Sequence, residues 1–268
     1  MDQRLIETLS RKPKSITRFP EWMLPKATID ILKDTKDTAI AEIAGRDSLA
    51  AIIKASEERA VKAILPTIAY TGTEFGDWNI PYEKCLFLKK RMEGSGIRIF
   101  DPVFLGDPEF WHLLCGRYLS LLFKDLGFYT PCLGCHLYLH VIRIPLARMT
   151  GTRLLIAGER EHHEGRIKLN QIPESLDAYQ GFLGGYDIEL YMPLRHLVKG
   201  EDVERLLERE WKEGAEQMQC VLSRNYLDAN GSVNYEKGTI QKFFDDFALE
   251  EAARVLNAYL SFNGTGTP

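Results

Sequence analysis

The sequence is short of cysteine and of long apolar runs. Its five cysteines, Cys85, Cys115, Cys132, Cys135 and Cys220, are too few in 268 residues for a disulfide-stapled secreted scaffold, and the number is odd. No run approaches the roughly 18 apolar residues that span a bilayer, so no membrane partner is expected. The first residues, "MDQRLIETLSRKPKS", hold no apolar stretch of signal-peptide length. Together these absences predict a cytoplasmic protein with reduced thiols. GxxxxGK[ST] is missing, which excludes a Walker P-loop, and GxGxxG is missing, which excludes a Rossmann fingerprint. There is no internal repeat and no low-complexity tract. A net charge of −4 argues against nucleic-acid binding by bulk charge. "SRKPKSITR" (10–18) is a local basic segment, read as a solvated arm.

What is present is alternation. "TAIAEIAG" (38–45) is a short apolar run ending in Gly, as a buried strand does. In "RDSLAAIIKASEERAVK", Leu49, Ile52, Ile53 and Ala60 share a helical face, and Asp47 or Ser48 suits the N-cap. "AILPTIAYTG" is a second strand, weakened by Pro66. "PYEKCLFLKKRMEGSG" is a helix between Pro and Gly. "IRIFDPVFL" is a third strand, and "EFWHLLCGRYLSLLFKDLG" one striped helix. "TRLLIAGE" and "YDIELYMPLRHL" supply two more strands. "GEDVERLLEREWKEGAEQMQCVL" and "IQKFFDDFALEEAARVLNAYL" are expected as C-terminal helices. This order predicts an α/β fold: a mostly parallel twisted sheet with helices on both faces, plus C-terminal helices. The expected division is an N-terminal helical arm (1–35), a nucleotide-binding α/β domain (36–200) and a C-terminal helical extension (201–268). Ligands of such sheets bind at the carboxyl ends of the strands.

Two stretches carry chemistry, one at a strand end and one leading into a helix. In "IAGRDSLAA", Gly45 makes a tight turn into a helix whose first amides can bind phosphate. Asp47 can hold Mg²⁺ beside it, and Arg46 adds positive charge. The alternative is a plain turn with Asp47 and Ser48 only capping the helix. In "CLGCH" (132–136), two cysteines two residues apart precede His136, and His140 follows on the same helical face. This spacing serves metal, redox or sulfur chemistry, or else belongs to ordinary buried thiols. Cys85 and Cys115 fall within helical stripes and read as small apolar core residues, remote from the others.

"AGRDS" resembles a degenerate SGGxDS loop of the ATP pyrophosphatases, the PP-loop branch of the adenine nucleotide α-hydrolase-like proteins. Gly45, Asp47 and Ser48 match; Ile43 stands where that family has Ser, and Ala44 where it has Gly. "YTGTEF" is similar to the turn after the second strand in the phosphoadenylylsulfate reductase-like branch, which implies Thr71 and Gly72 near the adenosine. "GEREHHEGR" is similar to its G-x-R turn followed by a second Arg, giving Gly158, Arg160 and Arg166. "PCLGC" resembles the PCxxC of the thiolating enzymes, where a third, more C-terminal cysteine joins; here that is Cys220. The resemblance covers roughly residues 36–200.

The resemblance implies a function. Residues 44–48 would bind ATP with Mg²⁺ near Asp47, and an acceptor, tRNA or a small molecule, would be adenylated. Sulfur held at Cys132, Cys135 and Cys220 would then displace AMP. Those three cysteines could ligate a 4Fe-4S iron–sulfur cluster, relay sulfur as a persulfide, or bind Zn²⁺ with His136. In the assignment by roles, Asp47, Cys132 and Cys220 are catalytic. A nucleotide- or zinc-binding protein without this chemistry is the alternative, favoured by Ile43 and Ala44. The chain ends "LSFNGTGTP" without the terminal cysteine of the reductases, and no cysteine precedes Cys85 to build a zinc ribbon. The oligomeric expectation beyond a monomer is a homodimer. Cys220 is placed at the last turn of a helix.

Overall fold

The computed structural model describes residues 19–211 and 216–264. The basic segment 10–18 lies outside them. The centre is a parallel sheet built from β1 (Thr38–Glu42), β2 (Ala63–Tyr70), β4 (Arg98–Ile99), β5 (Val103–Gly106), β6 (Leu154–Ile156) and β7 (Glu189–Tyr191). The order is β4-β2-β1-β6-β7, with β5 pairing the far half of β2. Every pairing in it is parallel, and helices cover both sides. β1 is buried at all five positions, which is why it reads as an unbroken apolar run rather than an alternating one.

The single third strand expected from "IRIFDPVFL" is two short strands. β4 pairs with residues 63–64 and β5 with 67–70, and the gap falls opposite Pro66, which has no N–H to give a neighbour. The chain therefore keeps a proline inside a central strand.

The strand-to-helix connections keep the expected order. β1 leads to α2 (Arg46–Glu58), and β2 to α3 (Asn79–Arg91) through a short strand, β3 (Glu74–Phe75). α2 buries Leu49, Ile52 and Ile53, whereas Ala60 is exposed beyond the helix end. Upstream, α1 (Lys26–Asp34) packs on α7 (Ile144–Thr150). The long striped helix expected over 109–127 is broken at Gly116 into α4 (Pro108–Cys115) and α5 (Leu119–Leu126). α6 (Pro131–Val141) comes next, capped by the Thr130 side chain, which accepts from the Cys132 amide.

The largest departure is C-terminal. α9 (Gly200–Leu207) stops there because Glu208 turns left-handed (φ 53°). Residues 219–220 form a strand, β8, paired antiparallel with β3: Glu74 faces Cys220, and Phe75 faces Gln219. Cys220 therefore sits on a strand and not at a helix end. α10 (Lys237–Phe243) runs through a π-turn (Phe244–Ala248) into α11 (Leu249–Gly264), as the apolar pattern predicts. These elements pack on α4, α5, α7 and α8 (Pro173–Gly184). No described helix is long and apolar enough to cross a membrane.

Candidate functional site

The sheet order reverses between β1 and β6, whose carboxyl ends adjoin. A crevice opens at such a point. Here the turn after β1 and the turn after β6 touch: a Cβ on Gly158 would lie 2.4 Å from the Ser48 amide nitrogen. Only a glycine permits that approach. A cavity of about 420 Å³ opens above the two turns.

The loop after β1 is internally braced. Gly45, not Asp47 or Ser48, is the N-cap of α2. The Ser48 hydroxyl accepts from the Ala44 amide (3.0 Å) and donates to the Gly45 carbonyl (2.8 Å). Ala44, Gly45, Arg46, Asp47 and Ser48 all line the cavity, with Gly158, Arg160 and Arg166 opposite. Arg160 donates to one Asp47 oxygen (2.8 Å) and Arg46 to the other (3.2 Å). Arg160 is buried and its Nη1 has no partner. Gln217 places Oε1 3.0 Å from the position a Gly45 Cβ would take.

His163 and Lys168 add to this wall. Burial, then the Lys168 and Arg160 charges, push His163 down to about 4, so it is neutral at pH 7. Its Nε2 is buried without a partner. Burial also lowers Lys168.

Thr71 and Gly72 do not line the cavity. Both amides donate to the Glu74 carboxylate, as does the Thr71 hydroxyl (2.8 Å), so this turn is held by Glu74. Glu74 lines the cavity in their place, and Thr73 lies 3.3 Å from the Cys220 sulfur.

The cysteines gather in one region. Cys220 lines the cavity; Cys132 and Cys135 occupy the first turns of α6. Burial pushes the Cys132 thiol up to about 11, and the nearby Cys135 and Cys220 sulfurs push the same way. Cys115 is not remote. Its thiol lies against Cys135 and, with His136 and the otherwise unpartnered Trp111 indole, holds Cys135 down to about 7 against burial. The packing cause is Gly134, whose missing Cβ would fall 2.5 Å from the Leu114 carbonyl oxygen and 3.3 Å from the Cys115 sulfur. Cys85 is remote; burial under α3 pushes it up to about 12.

Among the described residues, Cys132, Cys135 and Cys220 do not form a group with sulfurs all within 4.8 Å of one another. A tetrahedral zinc with ~2.3 Å bonds holds its sulfurs about 3.8 Å apart, so as placed they do not share one such ion. Three partly exposed thiols, one of them near 7, are a donor set that suits a larger iron–sulfur group. For Mg²⁺, Asp47 supplies the one carboxylate of the loop, so ATP phosphates would complete its shell.

A polar cluster lies at and beneath the cavity floor, and of its residues the sequence pattern singled out only His136 and His140. Glu42 ends β1, Glu159 lies just past β6, and His140 and Arg143 come from α6 and its end. His140 is fully buried; its Nδ1 lies 2.7 Å from Glu42 Oε1 and its Nε2 3.4 Å from Glu159 Oε1. Arg143 reaches Glu42 (3.2 Å) and donates to Thr67 (2.7 Å). Burial alone would keep His140 neutral, but the two carboxylates outweigh it and hold it up to about 9. Burial likewise opposes ionisation of Glu159, and His136 and His140 win, leaving it well below the carboxylate range. The readable signal is a charge inside each apolar run, in "TAIAEIAG", "LLIAGE" and "HVIRIPL", because buried charges require partners.

No family model matches the chain. Its fold is similar to that of a 4-thiouridine synthetase solved with RNA and bound ATP, with a TM-score of 0.50 at 17% identity over 84% of this chain. The chain spans about half, 52%, of that protein. The U34-tRNA thiolase NcsA of Methanococcus maripaludis, solved with its [4Fe-4S] cluster, aligns with a TM-score of 0.39 at 14% identity, over 98% of this chain and 80% of the other. A sequence relative is nearer: the uncharacterized protein MJ0009 of Methanocaldococcus jannaschii is 39% identical over 244 residues. That match takes in 89% of this chain and 88% of the relative, and the chain belongs to the family of MJ0009.

Proposed function

We propose that the protein is an ATP pyrophosphatase-type sulfurtransferase, which adenylates an acceptor and then replaces AMP with sulfur. One observation carries this reading: Cys220 lines the same cavity as the Gly45–Ser48 loop and Arg160, so a thiol and the loop that opens α2 face one space. The RNA and ATP of the 4-thiouridine synthetase complex support the same class, with tRNA or a small molecule as acceptor.

The loop amides at the start of α2 receive the β- and γ-phosphates. Arg160 and Arg46 leave Asp47 for the phosphates, and Asp47 is freed to hold Mg²⁺. An acceptor oxygen attacks the α-phosphorus, and pyrophosphate leaves. Arg160 and Arg166 stabilise the charge that develops there. Hydrosulfide then attacks the adenylated carbon, a C–S bond replaces the C–O bond and AMP departs with the oxygen; the acceptor's own proton is lost in the adenylation step. Cys132, Cys135 and Cys220 would hold the iron–sulfur cluster, which when bound supplies an iron that takes up sulfide.

The paired state of Asp47, together with Gln217 over Gly45, favours a second reading: a nucleotide-binding protein of this fold without turnover. One assay separates the two. Wild-type protein given ATP, Mg²⁺, sulfide and bulk tRNA should release pyrophosphate and AMP and incorporate sulfur. Cys220→Ser should keep pyrophosphate release and lose sulfur incorporation. ATP binding without any pyrophosphate release supports the second reading, and no ATP binding refutes both.

A further inference from the structure

α5 (Leu119–Leu126) is a short helix in which five of eight residues are Leu or Phe, yet it buries none of them. Leu119 is 45% exposed, Leu121 58% and Phe123 57%. Leu122 and Leu126 pack partway onto the core. A helix this short is marginal in water by itself and depends on an apolar face packed against something. Within one chain, α5 has only part of that cover.

Beside α5 runs a groove of about 560 Å³, lined by Leu121, Leu122 and Leu126 on the α5 side and by Phe243 and Phe247 on the α10 side. Phe247 belongs to the π-turn that joins α10 to α11, and such turns are frequent at functional sites. Charge rims the groove: Asp125 from α5, Lys242 from α10 and Asp246 from the π-turn, with Lys124 next to Asp125. All four are exposed, and none has an ion partner among the described residues. Glu251, also at the groove, is already paired with Arg254 at 2.6 Å.

We propose that this face docks a second copy of the chain, giving a twofold homodimer through α5 and the groove beside it. A twofold interface sets one patch against itself, so the patch must complement its own charges. This one does: two lysines and two aspartates, each without an ion partner among the described residues, surround an apolar centre. A nucleic-acid backbone or an anionic membrane would meet Asp125 and Asp246, and a strongly basic partner would meet Lys124 and Lys242. A second copy offers both signs in equal number. Leu121 and Phe123 leave water in the dimer, which supplies the cover that α5 lacks. None of these residues lines the cavity of the Gly45–Ser48 loop, so the dimer is independent of the chemistry proposed there.

Sedimentation velocity of the full chain tests this. The wild type should be a dimer that dissociates on dilution through the micromolar range. Leu121→Asp with Phe123→Asp puts charge in the apolar centre and should weaken the dimer at least about 100-fold, as loss of two interface anchors does. Both side chains are exposed, so circular dichroism should be unchanged. Charge exchange shows that the partner is the same chain. A chain with Lys124→Glu and Lys242→Glu, and a chain with Asp125→Lys and Asp246→Lys, should each be monomeric, and their equimolar mixture should recover the dimer. A wild type that stays monomeric at several hundred micromolar overturns the proposal. So does a Leu121→Asp, Phe123→Asp protein that dimerises as the wild type does, or a charge-exchange mixture that stays monomeric.

Discussion

Gly158→Ala should part the two turns that form the crevice. The added Cβ would sit 2.4 Å from the Ser48 nitrogen, 2.5 Å from the Asp47 carbonyl carbon and 2.6 Å from the Ser48 Cα. All three are backbone atoms, so no rotamer change relieves them. Ordinary contact distance requires the turns to separate by about 1 Å. Overpacking costs ~1–3 kcal/mol, and a backbone obstacle puts this case near ~3 kcal/mol. At roughly 2–4 °C per kcal/mol for a chain of this size, Tm should fall by about 6–12 °C. The same displacement moves Asp47 from Arg160, which pair at 2.8 Å, and should reduce Mg-ATP affinity. Thermal unfolding and calorimetric ATP titration measure both effects. Gly181→Ala is the control, since a Cβ there meets nothing within 4 Å, and α8 should tolerate or welcome it. A Gly158→Ala protein with wild-type Tm and ATP affinity would refute the contact between the turns.

Packing and charge give two further expectations. His163 is depressed to about 4, against about 6.5 in the unfolded chain, so below pH 6.5 the unfolded state takes up the proton first. Its contribution is complete above pH 6.5 and declines, by at most about 3 kcal/mol, as pH falls to 4. The groups facing it are Lys168, Arg160 and Asp47. The stability difference between wild type and His163→Gln, from urea unfolding, should therefore shift in favour of the variant by that amount between pH 7 and pH 4; a difference independent of pH would refute the burial argument. Gly134→Ala should push α6 from α4 at Leu114, cost ~1–3 kcal/mol, and move Cys115 from Cys135. Urea unfolding reads the first effect and mass-spectrometric cross-linking of the two thiols the second; unchanged stability and cross-linking would contradict the packing.

The strands were legible because a parallel sheet buried on both faces demands apolar runs, as in 38–42, 63–70 and 154–156. The turns after β1 and β6 were legible through Gly45 and Gly158, each between an apolar run and charges. Residues 200–222 misled, since a periodic charged pattern says helix while Glu208 ends it in a left-handed turn. Cys220 needed a pairing 146 residues away, opposite Glu74, that no local pattern encodes. Cys115 looked like core because it is core; it meets Cys135 only because Gly134 lets two helices close. Thr71 and Gly72 belong to the expected turn, yet Glu74 consumes their amides.

α6 carries Cys132 and Cys135 in its first turns and His136 and His140 beyond them. Each residue added to a helix rotates every later side chain by about 100°. One residue inserted after His136 would leave the thiols in place and swing His140 away from Glu42 and Glu159. A deletion between Cys132 and Cys135 would keep the histidines and misdirect a thiol. Tolerance of this segment thus divides by the kind of change: side-chain exchanges at Leu133 or Leu137 alter packing alone, whereas any change of length dismantles one end of the helix or the other.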